Sequence, residues 1–182
     1  VFHSVGRGVE ADEAQAVGWF RKAVEQGQLQ AQYNLAVRLR DGRGAEADAA
    51  GARELFGKVA EAGVPTAQFA LAQMWAAGEG GEPDETNATQ WYRKAAEQGH
   101  AAAQNNLALR LVEGIGAEAN LTEAIEWYQK SAEQNCVAAQ FNLGRRKLEG
   151  DGRAAVHWLK LAAAADHTEA QMYAEPRHAK QL

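Results

Sequence analysis

The sequence predicts an all-α fold, an array of about five helix-turn-helix repeats of 36 residues each. Two periodicities and one compositional balance predict it. Ala-Gln recurs at Ala31-Gln32, Ala67-Gln68, Ala103-Gln104, Ala139-Gln140 and Ala170-Gln171, at intervals of 36, 36, 36 and 31. A second series, Trp19, Leu55, Trp91, Trp127 and Trp158, repeats those four intervals, the irregular last one included. Only 3 prolines stand against 18 glycines in 182 residues, a balance that favours helices punctuated by tight turns.

Each unit reads as two helices. The first carries Ala-Gln-aromatic-Asn-Leu, as in Ala31-Gln32-Tyr33-Asn34-Leu35, and Ala31, Leu35 and Leu39 form one apolar stripe. Gly42, Gly78, Gly114 and Gly150 stand where a left-handed residue ends that helix. Asp12, Asp48, Asp84, Asn120 and Asp151, each seven residues before the tryptophan position, are N-caps of the second helix. Gln15 and Glu123 stand where a capping box would close. Ala16, Ala52, Ala88, Ala124 and Ala155 lie three residues before each tryptophan position, so the expectation is close helix contact with the tryptophan filling the gap beside it. Gly27, Gly63 and Gly99 end the second helices, replaced by Asn135 and Asp166 later on. The short last interval falls at Glu149-Gly150-Asp151, which lacks a loop such as Arg43 to Ala47. Val1 falls inside a first helix without its start, so the natural chain is expected to continue upstream, and Glu175-Pro176 breaks the final helix. The expected domain is a single array over 1–182, with units 1–30 (partial), 31–66, 67–102, 103–138, 139–169 and a terminal partial helix over 170–182.

The pattern Asp-x-x-x-Ala-x-x-Trp-Tyr-x-Lys-Ala-Ala-Glu-Gln-Gly, seen in Asp84 through Gly99, resembles the Sel1-like repeat family, relatives of the tetratricopeptide repeats. The resemblance covers nearly the whole chain. It implies a right-handed superhelical α/α solenoid used as a protein-interaction scaffold or adaptor, often bacterial, and it implies no reaction and no cofactor.

Composition narrows the partners. A formal charge of −5 argues against general nucleic-acid binding, and no apolar run is long enough for membrane insertion. Cys136 is the only cysteine, so no internal disulfide staples the fold. The compartment stays open. The histidines show no metal spacing, His100 reads as an ordinary surface turn residue, and Gly78-Glu79-Gly80 and Gly114-Ile115-Gly116 read as turns rather than phosphate loops. The tryptophans with Phe20, Phe56, Tyr92 and Tyr128 read as repeat core, and Lys22, Lys58, Lys94 and Lys130 as helix-end charges on a solvated face.

If the array resembles the tetratricopeptide arrangement, the first helices line a concave groove. The positions then aimed into it are Asn34, Ala70, Asn106 and Asn142, with Val37, Gln73, Leu109 and Arg145. Arg38, Arg110 and Arg146 recur beside them, and Trp75 stands out as an oversized residue that either packs or touches a partner. The asparagines either grip an extended peptide backbone, with arginines favouring acidic segments, or satisfy nearby turn backbone. The expected function is an adaptor holding a protein or peptide segment in the groove; the alternative is an immunity-type protein neutralising a toxin or enzyme through loops or an edge. Self-association through the open ends of the array is a further expectation.

Overall fold

Ten α-helices follow one another along the described residues: α1 (Glu13–Glu25), α2 (Leu29–Asp41), α3 (Ala49–Glu61), α4 (Pro65–Ala77), α5 (Glu85–Glu97), α6 (Ala101–Glu113), α7 (Leu121–Glu133), α8 (Val137–Lys147), α9 (Gly152–Ala164) and α10 (Thr168–Ala174). The computed structural model describes residues 12–147, 152–165 and 167–174, with no strand among them. Even-numbered helices carry the Ala-Gln dipeptides and odd-numbered ones the tryptophan series, so first and second helices alternate as the periodicity requires. Two compact units result, Val1–Trp91 and Tyr92–Leu182.

Within the first unit α1 packs on α2, α2 on α3 and α3 on α4, around Leu35, Phe56, Val59, Leu71 and Met74. Within the second, successive pairs from α6 to α10 enclose Leu107, Leu111, Tyr128, Leu143 and Leu159. The small residues hold the helices close: Ala52, Ala88, Ala124 and Ala155 are fully buried.

The tryptophans do not fill the gap beside these alanines. The residue one position later does, since it lies a full turn (i+4) from the alanine on the same helix face. Phe56, Tyr92, Tyr128 and Leu159 are at most 5% exposed, whereas Trp19 is 57% exposed and Trp91, Trp127 and Trp158 are half-buried. The lysine three residues on covers two of the indoles, Lys22 over Trp19 at 4.8 Å and Lys130 over Trp127 at 4.2 Å. The repeat core is thus built from the residue after the tryptophan.

Four of the expected N-caps form: the side chains of Asp12, Asp48, Asp84 and Asn120 accept from the backbone N–H of Gln15, Gly51, Asn87 and Glu123 at 2.8–3.1 Å. The fifth, Asp151, lies outside the described residues, as do Gly150, Asp166, the Glu175-Pro176 break and the chain start. The capping box expected at Glu123 does not close. The N–H of Asn120 already donates to Leu111 O at 2.8 Å, as Asp48 and Asp84 donate to Leu39 and Trp75. The Glu123 carboxylate turns instead to Arg93 and to the Trp127 indole N–H, and the arginine bond holds its carboxyl below the usual range.

Gly42, Gly78 and Gly114 close the first helices at φ between 66° and 70°. At the second-helix ends Asn135 takes φ 62°, the one non-glycine with positive φ among the described residues. The Ala-Gln dipeptide acquires a physical reason here. Gln68, Gln104 and Gln140 are buried and donate from Nε2 to the carbonyls of Ala60, Ala96 and Ala132, at 3.1–3.3 Å near the end of the preceding helix. Each glutamine gives that carbonyl a second donor beside the backbone N–H of Gly63, Gly99 or Asn135.

Candidate protein-interaction face

The predicted site residues fall on the first helices of each unit, and the structure divides them by burial. In the first unit, Asn34, Val37 and Arg38 of α2 join Phe20, Tyr33 and Arg43 around a pocket of about 350 Å³. Asn34 Oδ1 accepts from Gln30 Nε2 at 3.4 Å. Arg38 is only 7% exposed: its guanidinium pairs with Glu13 and lies 5.5 Å over the Phe20 ring. Burial lowers its pKa from the ordinary value, and the neighbouring Arg43, itself 2.9 Å from Glu13, lowers it further. Arg38 therefore answers an internal carboxylate. On α4, Gln73 is exposed while Ala70 is a core residue. Trp75 is half-buried under Arg53, whose guanidinium lies 4.3 Å from its ring.

In the second unit the asparagines meet. Asn142 Nδ2 of α8 donates to Asn105 Oδ1 of α6 at 3.1 Å, and Asn105 Nδ2 donates to Asn106 Oδ1 at 3.2 Å. Three side-chain amides form one chain across two successive first helices, and their bonds run to one another rather than to a turn backbone. Leu109 beside them is 40% exposed. Arg145 is exposed and its guanidinium lies 5.6 Å over Phe141. Arg110 is buried and sits 5.6 Å over Tyr92, the place Arg38 takes over Phe20, while Arg146 is half-buried.

The sequence reading missed Asn105, whose helical position marks it as inward-facing, and His100. His100 is the N-cap of α6, its Nδ1 accepting from Ala103 N–H at 3.2 Å, and burial lowers its pKa. No cluster of three or more metal-ligating side chains occurs, and no helix is long and apolar enough to cross a membrane, among the described residues.

Sel1 repeat matches run head to tail over residues 1–28, 29–64, 65–100, 101–136 and 137–167. The chain belongs to the Sel1 repeat family. Sel1 repeats are generally protein-interaction scaffolds. A protective antigen of uropathogenic Escherichia coli with this fold superposes with a TM-score of 0.91 at 33% identity, over 94% of this chain. The match covers 38% of the antigen, so this chain spans well under half of its length. A Sel1 repeat protein from Oxalobacter formigenes gives a TM-score of 0.85 at 30% identity, covering 97% of this chain and 76% of its own. The immunity protein Pa5087 of Pseudomonas aeruginosa shares the fold more loosely, at 0.55 and 23% identity, over 87% of this chain and 60% of that one. No curated protein matches by sequence.

Proposed function

We propose that this Sel1 repeat chain is a non-enzymatic scaffold that holds an extended segment of a protein partner against its first helices. The amide chain from Asn106 through Asn105 to Asn142 is the observation that carries the reading. An amide both donates and accepts, so the ends of such a chain suit the alternating N–H and C=O groups of a peptide backbone, whatever its sequence. Leu109 offers exposed apolar surface alongside, and Arg145 supplies a charge that favours an acidic segment. Arg38 and Arg110, buried over aromatic rings, support the fold rather than the contact.

The test is affinity capture with the wild-type chain and with Asn106→Ala, Leu109→Ala and Asn142→Ala combined, after circular dichroism shows equal helicity. A partner held by the wild type and lost by the triple variant is the expected result. A partner retained by both, and lost when the Arg43-to-Ala47 loop is altered, would replace the groove reading with a loop-borne neutralising role.

A further inference from the structure

Two successive repeats, over residues 29–64 and 65–100, depart from their sisters at three places that converge in space. Where Val17, Thr89 and Ile125 stand in other repeats, the first of the two has Arg53; where Arg21, Arg93 and Gln129 stand, it has Gly57; where Leu39, Leu111 and Lys147 stand, the second has Trp75. All three line one pocket of about 390 Å³, together with Glu54, Glu61, Leu71 and Trp91. Its wall comes from α3, from Leu71 and Trp75 of α4, from Gly80 in the loop that follows and from Trp91 of α5. Gly57 opens it: a Cβ placed there would meet nothing within 4 Å.

Arg53 gives the pocket its chemistry. Its guanidinium rests on Trp75, but among the described residues no carboxylate pairs with it, and its Nη1 is buried without a hydrogen-bond partner. The adjacent Glu54 is already committed to Lys58 at 2.7 Å. A buried donor left without an acceptor is costly, and a charge-assisted bond to a carboxylate is among the strongest remedies. Gly57 and Leu71 sit one helical turn, about 5.4 Å, along α3 and α4 from Arg53 and Trp75.

We propose that this pocket receives an acidic, apolar segment of a protein partner. A bulky apolar side chain of that segment lies over Gly57 against Trp75 and Trp91, and a neighbouring carboxylate meets Arg53. The site shares no residue with the asparagine chain and stands whether or not that chain binds anything.

The experiment titrates the full chain with acetyl-Glu-Leu-Phe-amide and with acetyl-Gln-Leu-Phe-amide, its neutral isostere, following indole N–H resonances assigned through Trp75→Phe and Trp91→Phe. The Trp75 and Trp91 signals should shift saturably, with the glutamine peptide about tenfold weaker or worse, the loss expected for one charge-assisted bond. Arg53→Gln should make the two peptides equal. Gly57→Arg, which restores the side chain found in two sister repeats, should weaken both about tenfold with helicity unchanged, and Trp75→Leu should do the same should that variant fold poorly. Combined Asn106→Ala and Asn142→Ala should leave the titration as it was. No shift of either indole, equal affinity for both peptides on the wild type, or tighter binding of acetyl-Lys-Leu-Phe-amide would overturn the proposal.

Discussion

At the scale of single residues, polar side chains in this chain act mostly on the ends of helices. His100 is the case that pH exposes. Its folded pKa lies below the ordinary 6.5 because burial disfavours the imidazolium, and its Nδ1 must be unprotonated to accept from Ala103 N–H. The unfolded chain therefore binds the proton more readily. The stability this cap contributes is complete above the unfolded value and is lost as pH falls through the lowered folded one. Urea midpoints should drop between pH ~7.5 and ~5 for the wild type. They should drop less for His100→Asn, which caps without titrating. Gln104 gives a second residue-level outcome. Gln104→Leu removes the buried bond to the Ala96 carbonyl, which keeps the Gly99 N–H, and releases the exposed Gln134 amide to water, so it should cost about 0.5–1.5 kcal/mol in denaturant melts. Gln32→Leu should cost less, because Gln32 Oε1 is buried without a partner already.

At the scale of the helix pair, the loops after α2 and α4 are pressed onto the first turns of α1 and α3, the second helices of the preceding repeats. Gly44 and Gly80, the second glycines of two Gly-x-Gly turns, make this possible. A Cβ on Gly80 would stand 2.4 Å from Ala49 O and 2.9 Å from Ala50 Cα, and one on Gly44 would stand 2.1 Å from Glu13 O. Gly63 has a comparable positive φ, 88° against 78°, yet a Cβ there meets nothing within 4 Å. The pair separates backbone strain from collision. Gly63→Ala should cost about 1–2 kcal/mol, the left-handed penalty alone. Gly80→Ala should cost clearly more and lower the melting temperature further, since the first turn of α3 must move. Read as a sequence, the two glycines look alike, because neither propensity nor spacing reports what lies across the turn.

At the scale of the whole molecule, the legible features were those written in chain-local chemistry. Repeat length, helix alternation, the caps at Asp12, Asp48, Asp84 and Asn120 and the stops at Gly42, Gly78 and Gly114 follow from periodicity and turn preferences. What depended on facing was not legible. Trp91 and Tyr92 are adjacent in sequence, and only packing makes the tyrosine the buried one. Arg38 reads as a surface cation until Glu13, 25 residues earlier, is found against it. The asparagine chain runs through Asn105, which stands where Tyr33, Phe69 and Phe141 stand in other repeats, but only the fold shows that Asn142 meets it. One consequence of repeat construction is testable directly. Val64 and His100 precede successive first helices with nearly the same backbone, φ/ψ of −78°/113° and −69°/106°. Excising residues 65–100 joins Val64 to Ala101 without changing the geometry of entry, and Gly116 takes the loop position of Gly80. The shortened chain should keep its helicity per residue by circular dichroism and melt cooperatively at a lower temperature, since stability in such arrays is close to a sum over repeats and their neighbours. Excising 65–82 instead places one second helix directly after another, so α3 loses α4, one of the two first helices it packs on. That chain should lose most of its helical signal, and equal helicity in the two excisions would show that the 36-residue unit is not the element of stability.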